Sequence, residues 1–97
     1  MKAIELVLQS PLFWDVDKSK LNPELNKQFI ICRVMDRGDI DAVKAVLKYY
    51  EKISVKEILT NARYIEQKTI TFFANYFDLL PSDFKAWNTD SNNQWNL

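Results

Sequence analysis

The sequence NPELNKQFIICRVMDRGDIDAVKAVLKYY, residues 22–50, predicts two consecutive α-helices. Asn22 is a preferred N-terminal cap, and Pro23 suits the first helical position because its ring fixes φ near the helical value. The first helix should end at Gly38, since glycine is favoured just after a helix. Asp39 should then cap the second helix. Because the connection between them is so short, the two helices should pack together as a hairpin.

Two more helices are predicted in the C-terminal half. Ser54 and Glu57 have capping-box spacing, in which each side chain accepts a hydrogen bond from the backbone N–H of the other. The helix that they begin should end near Asn61. The last long helix should run over about 66–80, where Pro81 stops it.

The expected fold is therefore all-α: a compact bundle of four or five short helices with an irregular N-terminal segment and a helix-turn-helix-like C-terminal half. Residues 1–87 should form this single domain, with a short helical turn over 82–87. The stretch 88–97 is polar and low in complexity, and it is expected to be a C-terminal tail.

The composition narrows the possible functions. The 97 residues contain 13 basic and 13 acidic side chains, one glycine, one cysteine and no histidine. Without histidine there is no Ser-His-Asp triad, no Cys-His dyad and no histidine-ligated zinc. A single glycine excludes the glycine-rich loops that hold phosphates. We therefore expect that the protein is not an enzyme and that it binds no cofactor and no metal ion. A cytoplasmic location is expected because the first residues lack a secretory apolar stretch.

The core should be supplied by the innermost apolar seam of each helix. The residues expected to be almost fully buried are Leu25, Phe29, Cys32, Val43, Leu47, Ile58, Ile70, Phe73 and Phe77. A second apolar stripe on the first helix contains Ile30 and Val34, which leaves that helix apolar on two faces. We expect Trp14, from the irregular entry segment, to pack on this second stripe.

Several aspartates are candidate metal ligands or acid–base partners. Asp15 and Asp17 form one pair, and a second group lies within 36–41, but neither has the spacing of a calcium loop. Aspartate is common as a helix cap and a turn former, so structural roles are expected for both groups. Asp15 and Asp17 should accept backbone N–H groups or pair with a nearby cation: Lys18, Lys20 or Arg33. A pair with Arg33 is of most interest because arginine can hold a carboxylate through two parallel hydrogen bonds.

An aromatic surface is the first candidate for function. Aromatic residues make up 13% of the chain, and a domain this small need not bury them all. On the last long helix, Phe72, Tyr76 and Leu79 form a stripe beside the core-facing residues. Exposed aromatic clusters are typical of interfaces. We expect a protein partner or a second copy of the chain to bind there, and no membrane or small-molecule substrate.

The alternative is a helix-turn-helix regulator that binds DNA. The last long helix would then present Gln67, Lys68 and Thr71 to base edges, while Lys56 and Arg63 contact phosphates. That helix carries a single lysine, the connector lacks a turn glycine, and the balanced net charge gives little attraction to phosphate. Ordinary helix packing is therefore the first interpretation of this region.

Over about residues 12–80 the chain resembles a family of small, uncharacterised bacterial helical domains. The segments that carry the resemblance are FWDVD (13–17), FII (29–31), RV (33–34), RGD (37–39) and YY (49–50). The resemblance implies an antitoxin-like function, because members are often encoded beside nucleotidyltransferase-type abortive-infection toxins. It implies no catalytic residues. Members often have Arg-Arg-Leu-Ser before the last core helix, whereas this chain has ARYI (62–65), without one arginine and the capping serine.

Overall fold

A computed structural model describes residues 3–87 of the chain. The α-helices are α1 (Ala3–Leu8), α2 (Lys27–Arg37), α3 (Ile40–Tyr49), α4 (Lys52–Asn61) and α5 (Gln67–Tyr76). Short 3-10 helices occupy Pro11–Phe13, Lys18–Lys20 and Pro81–Asp83. No strand occurs within 3–87, so the all-α prediction is confirmed. None of the helices described is long and apolar enough to cross a bilayer. The predicted tail over 88–97 lies outside the described residues.

Helix α2 is packed by α3 and α4, and it buries a different face from the predicted one. Its buried side chains are Ile30, Ile31, Val34 and Met35. The prediction that Leu25 and Phe29 are core residues is wrong, since they are 85% and 40% exposed, and Cys32 is only half-buried. The four buried residues form two pairs, each spaced by four positions, and together they make one wide apolar arc. This arc is buried in place of the predicted one because α3 and α4 cover it from two sides.

The start of α2 explains the exposure of Leu25. The Asn22 carboxamide oxygen accepts hydrogen bonds from the backbone N–H groups of Glu24 and Leu25 at 2.8 and 3.0 Å, as expected of a capping residue. These bonds close a separate turn over 23–26, and the regular helix begins only at Lys27. Leu25 therefore precedes α2 and lies outside its core-facing arc.

The remaining helices contribute a core that overlaps only in part with the predicted one. Ile70, Phe73 and Phe77 are buried, as predicted. The predicted core residues Val43, Leu47 and Ile58 are only half-buried and pack at the edge of the core. The buried positions of α3 and α4 are instead Ala45, Val46, Val55 and Leu59.

The junction between α2 and α3 requires glycine because of a close approach. Gly38 has an extended backbone, φ −75° and ψ 158°, and not the left-handed conformation usual after a helix. A Cβ atom at this position would lie 2.7 Å from the carbonyl oxygen of Val34 and 3.1 Å from the Cβ of Ala42. The predicted cap at Asp39 is confirmed, because its carboxylate accepts the backbone N–H of Ala42 at 2.9 Å.

Besides the start of α2, which lies at Lys27 and not at Pro23, two predicted helix boundaries are wrong. Helix α4 begins at Lys52, so Ser54 lies inside the first turn and forms no capping box with Glu57. Helix α5 ends at Tyr76 rather than Leu80, in a turn where Asp78 adopts a φ of 61°. The chain then forms the 3-10 helix Pro81–Asp83 and a helical turn over 85–87, which agrees with the turn expected near 82–87. Phe84 and Ala86 of this segment are fully buried.

Helix α1 was not predicted from the sequence. Ile4, Val7 and Leu8 are buried, and α1 packs mainly against α3. A helix of six residues has little intrinsic stability in water, so its formation depends on this packing.

The entry segment divides its two large aromatic side chains between core and solvent. Phe13 is fully buried, whereas Trp14 is 80% exposed, so the prediction that Trp14 packs against Ile30 and Val34 is wrong. Consecutive residues in a 3-10 turn point about 120° apart, so only one of the two can face the bundle.

Candidate interaction surfaces

Two aromatic side chains project into solvent from α5. Phe72 is 53% exposed and Tyr76 is 44% exposed, and their rings stack with centroids 6.4 Å apart and an interplanar angle of 9°. Both rest edge-to-face on buried Phe73, at 4.9 and 5.9 Å. Because the Phe73 ring is held in the core, the two exposed rings that pack on it are fixed in position. We call Phe72 and Tyr76 the α5 aromatic surface.

A groove of about 290 Å³ runs from this surface towards the α2–α3 junction. Ile40, which is 62% exposed, and half-buried Val43 provide its apolar side on α3. Lys68 lies on the α5 side of the groove, and its ammonium group is 3.3 Å from a carboxylate oxygen of Glu66. The surface is therefore an apolar strip with charged edges, which is typical of a protein interface.

The predicted partner-binding residues are not equally available. Phe72 and Tyr76 are exposed together, and the Nζ of Lys52 lies 5.2 Å from the centre of the Tyr76 ring. Leu79 is half-buried and packs against the core, so its side chain already has an apolar environment.

The residues predicted to read DNA lie at the start of α5 and before it. Gln67, Lys68 and Thr71 are exposed, and so is Arg63 in the connector. Lys56 is half-buried on α4. Thr69, between exposed Lys68 and Thr71, is buried, with its hydroxyl 3.5 Å from the carbonyl oxygen of Met35. The N-terminal part of α5 thus presents a mixed polar surface with one lysine, itself paired with Glu66.

Sequence reasoning missed a second and larger concavity. A groove of about 500 Å³ lies between one side of α2 and the connector over 62–66. Leu25, Phe29 and Tyr64 give it apolar walls, and Tyr64 is 83% exposed. Its basic side chains are Arg33, Arg37 and Arg63. We call this concavity the arginine groove.

One wall of the arginine groove is fixed by Arg33. The guanidinium donates hydrogen bonds to both carboxylate oxygens of Asp15, one of them at 3.2 Å, so among the pairings considered for the two aspartates Arg33 pairs with Asp15. It also lies 4.7 Å from the centre of the Phe29 ring, within the range of a cation–π contact. The hydrogen bond from Arg33 lowers the pKa of the Asp15 carboxyl.

The other acidic and thiol groups have structural explanations. Asp17 caps the 3-10 helix Lys18–Lys20 through its bonds with Ser19, which lower the pKa of its carboxyl. Burial, with the nearby Asp36 carboxylate, raises the pKa of the Cys32 thiol to about 11, so the reactive thiolate is disfavoured at neutral pH. Within residues 3–87 no group of three acidic, cysteine or histidine side chains is arranged to hold a metal ion.

A comparison with protein families shows where the chain belongs. The model of a family of unknown function (DUF6922) matches residues 8–59, more than half of the chain. The chain belongs to this family. The part that matches the DUF6922 model includes the Asp15–Arg33 pair, α2 and α3, whereas Arg63, Tyr64 and the α5 aromatic surface lie beyond it. No curated protein and no solved structure matches the chain.

Proposed function

We propose that the chain is a non-enzymatic protein-interaction module that acts in the bacterial cytoplasm as the antitoxin-like partner of a toxin. The α5 aromatic surface carries this proposal. Phe72 and Tyr76 are large, exposed and stacked on each other, and the buried ring of Phe73 supports both. Leaving such side chains in water is unfavourable, and aromatic anchors of this kind dominate the binding energy of interfaces.

The groove beside the anchors favours a protein over a small molecule. It is an open, shallow strip bordered by Ile40 and Lys68, whereas a small-molecule site encloses most of its ligand. A partner helix or loop that covers Phe72 and Ile40 together would bury a continuous apolar strip. The absence of histidine from the whole chain agrees with a binding role, because the most common general acid–base residue is missing.

The test is binding to a nucleotidyltransferase-type abortive-infection toxin, the class of partner that the family resemblance implies. The purified proteins should form a complex in titration calorimetry, and co-expression should restore growth that the toxin arrests. Phe72→Ala and Tyr76→Ala should each weaken the affinity at least about tenfold, as expected for interface anchors. Trp14→Ala is the matched control, since Trp14 is an exposed aromatic residue outside this surface. Unchanged affinity in both α5 variants would refute the proposed surface.

DNA binding by the C-terminal half is the second candidate. DNA binding is favoured by a cluster of exposed polar side chains at the start of α5: Gln67, Lys68 and Thr71, with Arg63 before them. Affinity for duplex DNA should then fall steeply as salt rises. Lys68→Gln should reduce both the affinity and the slope of that salt dependence. An antitoxin that represses its own operon would have both activities, so the two candidates are tested separately.

A further inference from the structure

We infer that the arginine groove is a second binding site, distinct from the α5 aromatic surface, and that it takes an acidic segment of a partner protein with an apolar side chain flanked by carboxylates. The inference does not depend on the identity of the partner at the α5 aromatic surface. It follows from three features of the groove: its apolar walls, its free guanidinium groups and the rigidity of the segments that carry them.

The walls expose apolar surface on both sides of the concavity. Leu25 and Tyr64 are 85% and 83% exposed, and Phe29, which also lines the groove, is 40% exposed. An apolar side chain from a partner would remove all three from water together. The groove therefore has a site for one apolar anchor, which is the usual centre of a peptide-binding interface.

The charge of the groove selects the flanking residues of the ligand. Arg37 and Arg63 are exposed and form no hydrogen bond or ion pair within residues 3–87. Asp36 is the acidic residue in the described lining of the groove. Its carboxylate already accepts a hydrogen bond from the backbone N–H of Glu66 at 3.1 Å. Two free guanidinium groups beside an apolar anchor site fit carboxylates placed on either side of that anchor, since arginine binds carboxylates through paired hydrogen bonds.

Both sides of the groove are held in place before any ligand binds. Arg33 is fixed by Asp15 and by the Phe29 ring. In the connector, Ala62 and Ile65 are each only 5% exposed, so the two exposed residues between them extend from a backbone anchored at both ends. A rigid site loses less conformational entropy on binding, which favours affinity.

A protein segment fits this chemistry better than nucleic acid. The lining contains three arginines, and Arg33 is already paired with Asp15, so the positive charge open to a ligand is confined to two side chains. The exposed Leu25 side chain offers neither stacking nor hydrogen bonding to a base. Single-stranded nucleic acid sites combine aromatic platforms with a continuous line of positive charge. The groove has aromatic side chains in Phe29 and Tyr64 but not the continuous line of charge.

The experiment selects ligands without assuming a sequence. A phage-displayed library of short random peptides is selected on the full chain, and the affinity of the selected peptides is measured by fluorescence anisotropy. The peptides should be enriched in Asp and Glu next to Leu, Phe or Trp. Arg37→Gln and Arg63→Gln should each weaken binding about tenfold, whereas Lys44→Gln, which removes an exposed charge from α3, should not change it.

Charge reversal separates recognition from a merely structural effect. In a chain carrying both Arg37→Glu and Arg63→Glu, the same library should yield basic peptides, and circular dichroism should show an unchanged helical fold. Phe72→Ala should leave the peptide affinity intact, so failure of the α5 aromatic surface and failure of the arginine groove are distinguishable. Selected peptides without acidic enrichment, or affinities that the arginine variants do not alter, would overturn the inference. It is equally overturned if a single-stranded oligonucleotide of mixed sequence binds the groove while no peptide is selected.

Discussion

Helices α2 and α5 are both apolar on two faces, but they divide those faces between core and solvent differently. In α5 the face with Ile70 and Phe73 turns inward, as its spacing predicts, and Phe72 remains outside. In α2 the spacing favours the seam with Phe29, yet Ile30 and its neighbours are buried instead. Spacing alone cannot rank two apolar faces of similar size. The packing of the neighbouring helices determines which face is buried, and the other apolar face remains exposed and can bind a partner.

The largest expected effect tests the inward face of α5. Phe73→Ala should lower the free energy of unfolding by about 3–5 kcal/mol, because it leaves a cavity where a fully packed ring stood. Phe72→Ala, one residue away on the exposed face, should cost about 1 kcal/mol or less. Urea unfolding followed by circular dichroism measures both. Similar losses for the two variants would contradict the assignment of the faces.

The corresponding test at α2 compares a residue of its buried face with the predicted core residue that precedes the helix. Ile30 is fully buried, so Ile30→Ala should cost about 2–5 kcal/mol. Leu25 precedes the helix and is 85% exposed, so Leu25→Ala should change stability by about 0.5 kcal/mol or less. The same urea titrations apply. If Leu25→Ala proved the more damaging change, the seam predicted from the sequence would be the true core.

The ends of the two helices should respond to substitution with opposite signs. Gly38→Ala places a methyl group 2.7 Å from the carbonyl oxygen of Val34, and relieving that overlap should cost about 1–3 kcal/mol. At the end of α5, Asp78 occupies the left-handed region at a φ of 61°. Asp78→Gly should remove that strain and, after the greater chain entropy of glycine, stabilise the fold by under about 1 kcal/mol.

Thermal unfolding of the two variants, with the parent chain beside them, checks the signs. A lower melting temperature for Gly38→Ala and a slightly higher one for Asp78→Gly are expected. A neutral Gly38→Ala would mean that α2 and α3 can separate at their junction without loss of packing.

The features that the sequence predicts correctly are those set by nearest neighbours in the chain. Asn22 and Asp39 cap the segments that follow them, because their side chains reach backbone N–H groups only two or three residues ahead. Helix α1 carries no such signal, since its six residues are stabilised by packing on α3. The Ser54–Glu57 pattern is present but unused, because α4 begins earlier, at Lys52.

The same distinction applies to the interaction surfaces. Phe72 and Tyr76 lie four residues apart on one helix, so their stripe is visible in the sequence. The arginine groove joins Arg37 to Arg63 across two elements, and only the tertiary packing of the connector against α2 brings them together. The spacing of residues along a single helix cannot predict that these two arginines lie close together.

The smallest expected effect concerns how firmly the exposed face of α2 is held, and it depends on pH. Arg33 lowers the pKa of Asp15 in the folded chain relative to the ordinary carboxyl value near 3.9. A carboxyl whose folded pKa is depressed contributes stability above its unfolded pKa, and this contribution is lost as the pH falls through the folded pKa. Asp15→Asn should therefore be less stable than the parent chain near neutral pH, and the gap should close in acid. Urea titrations at several pH values, with Arg33→Gln as a partner in a double-mutant cycle, measure it. A gap that is the same at neutral and acidic pH, or that persists in the Arg33→Gln background, would show that the Asp15–Arg33 pair does not hold this wall of the arginine groove.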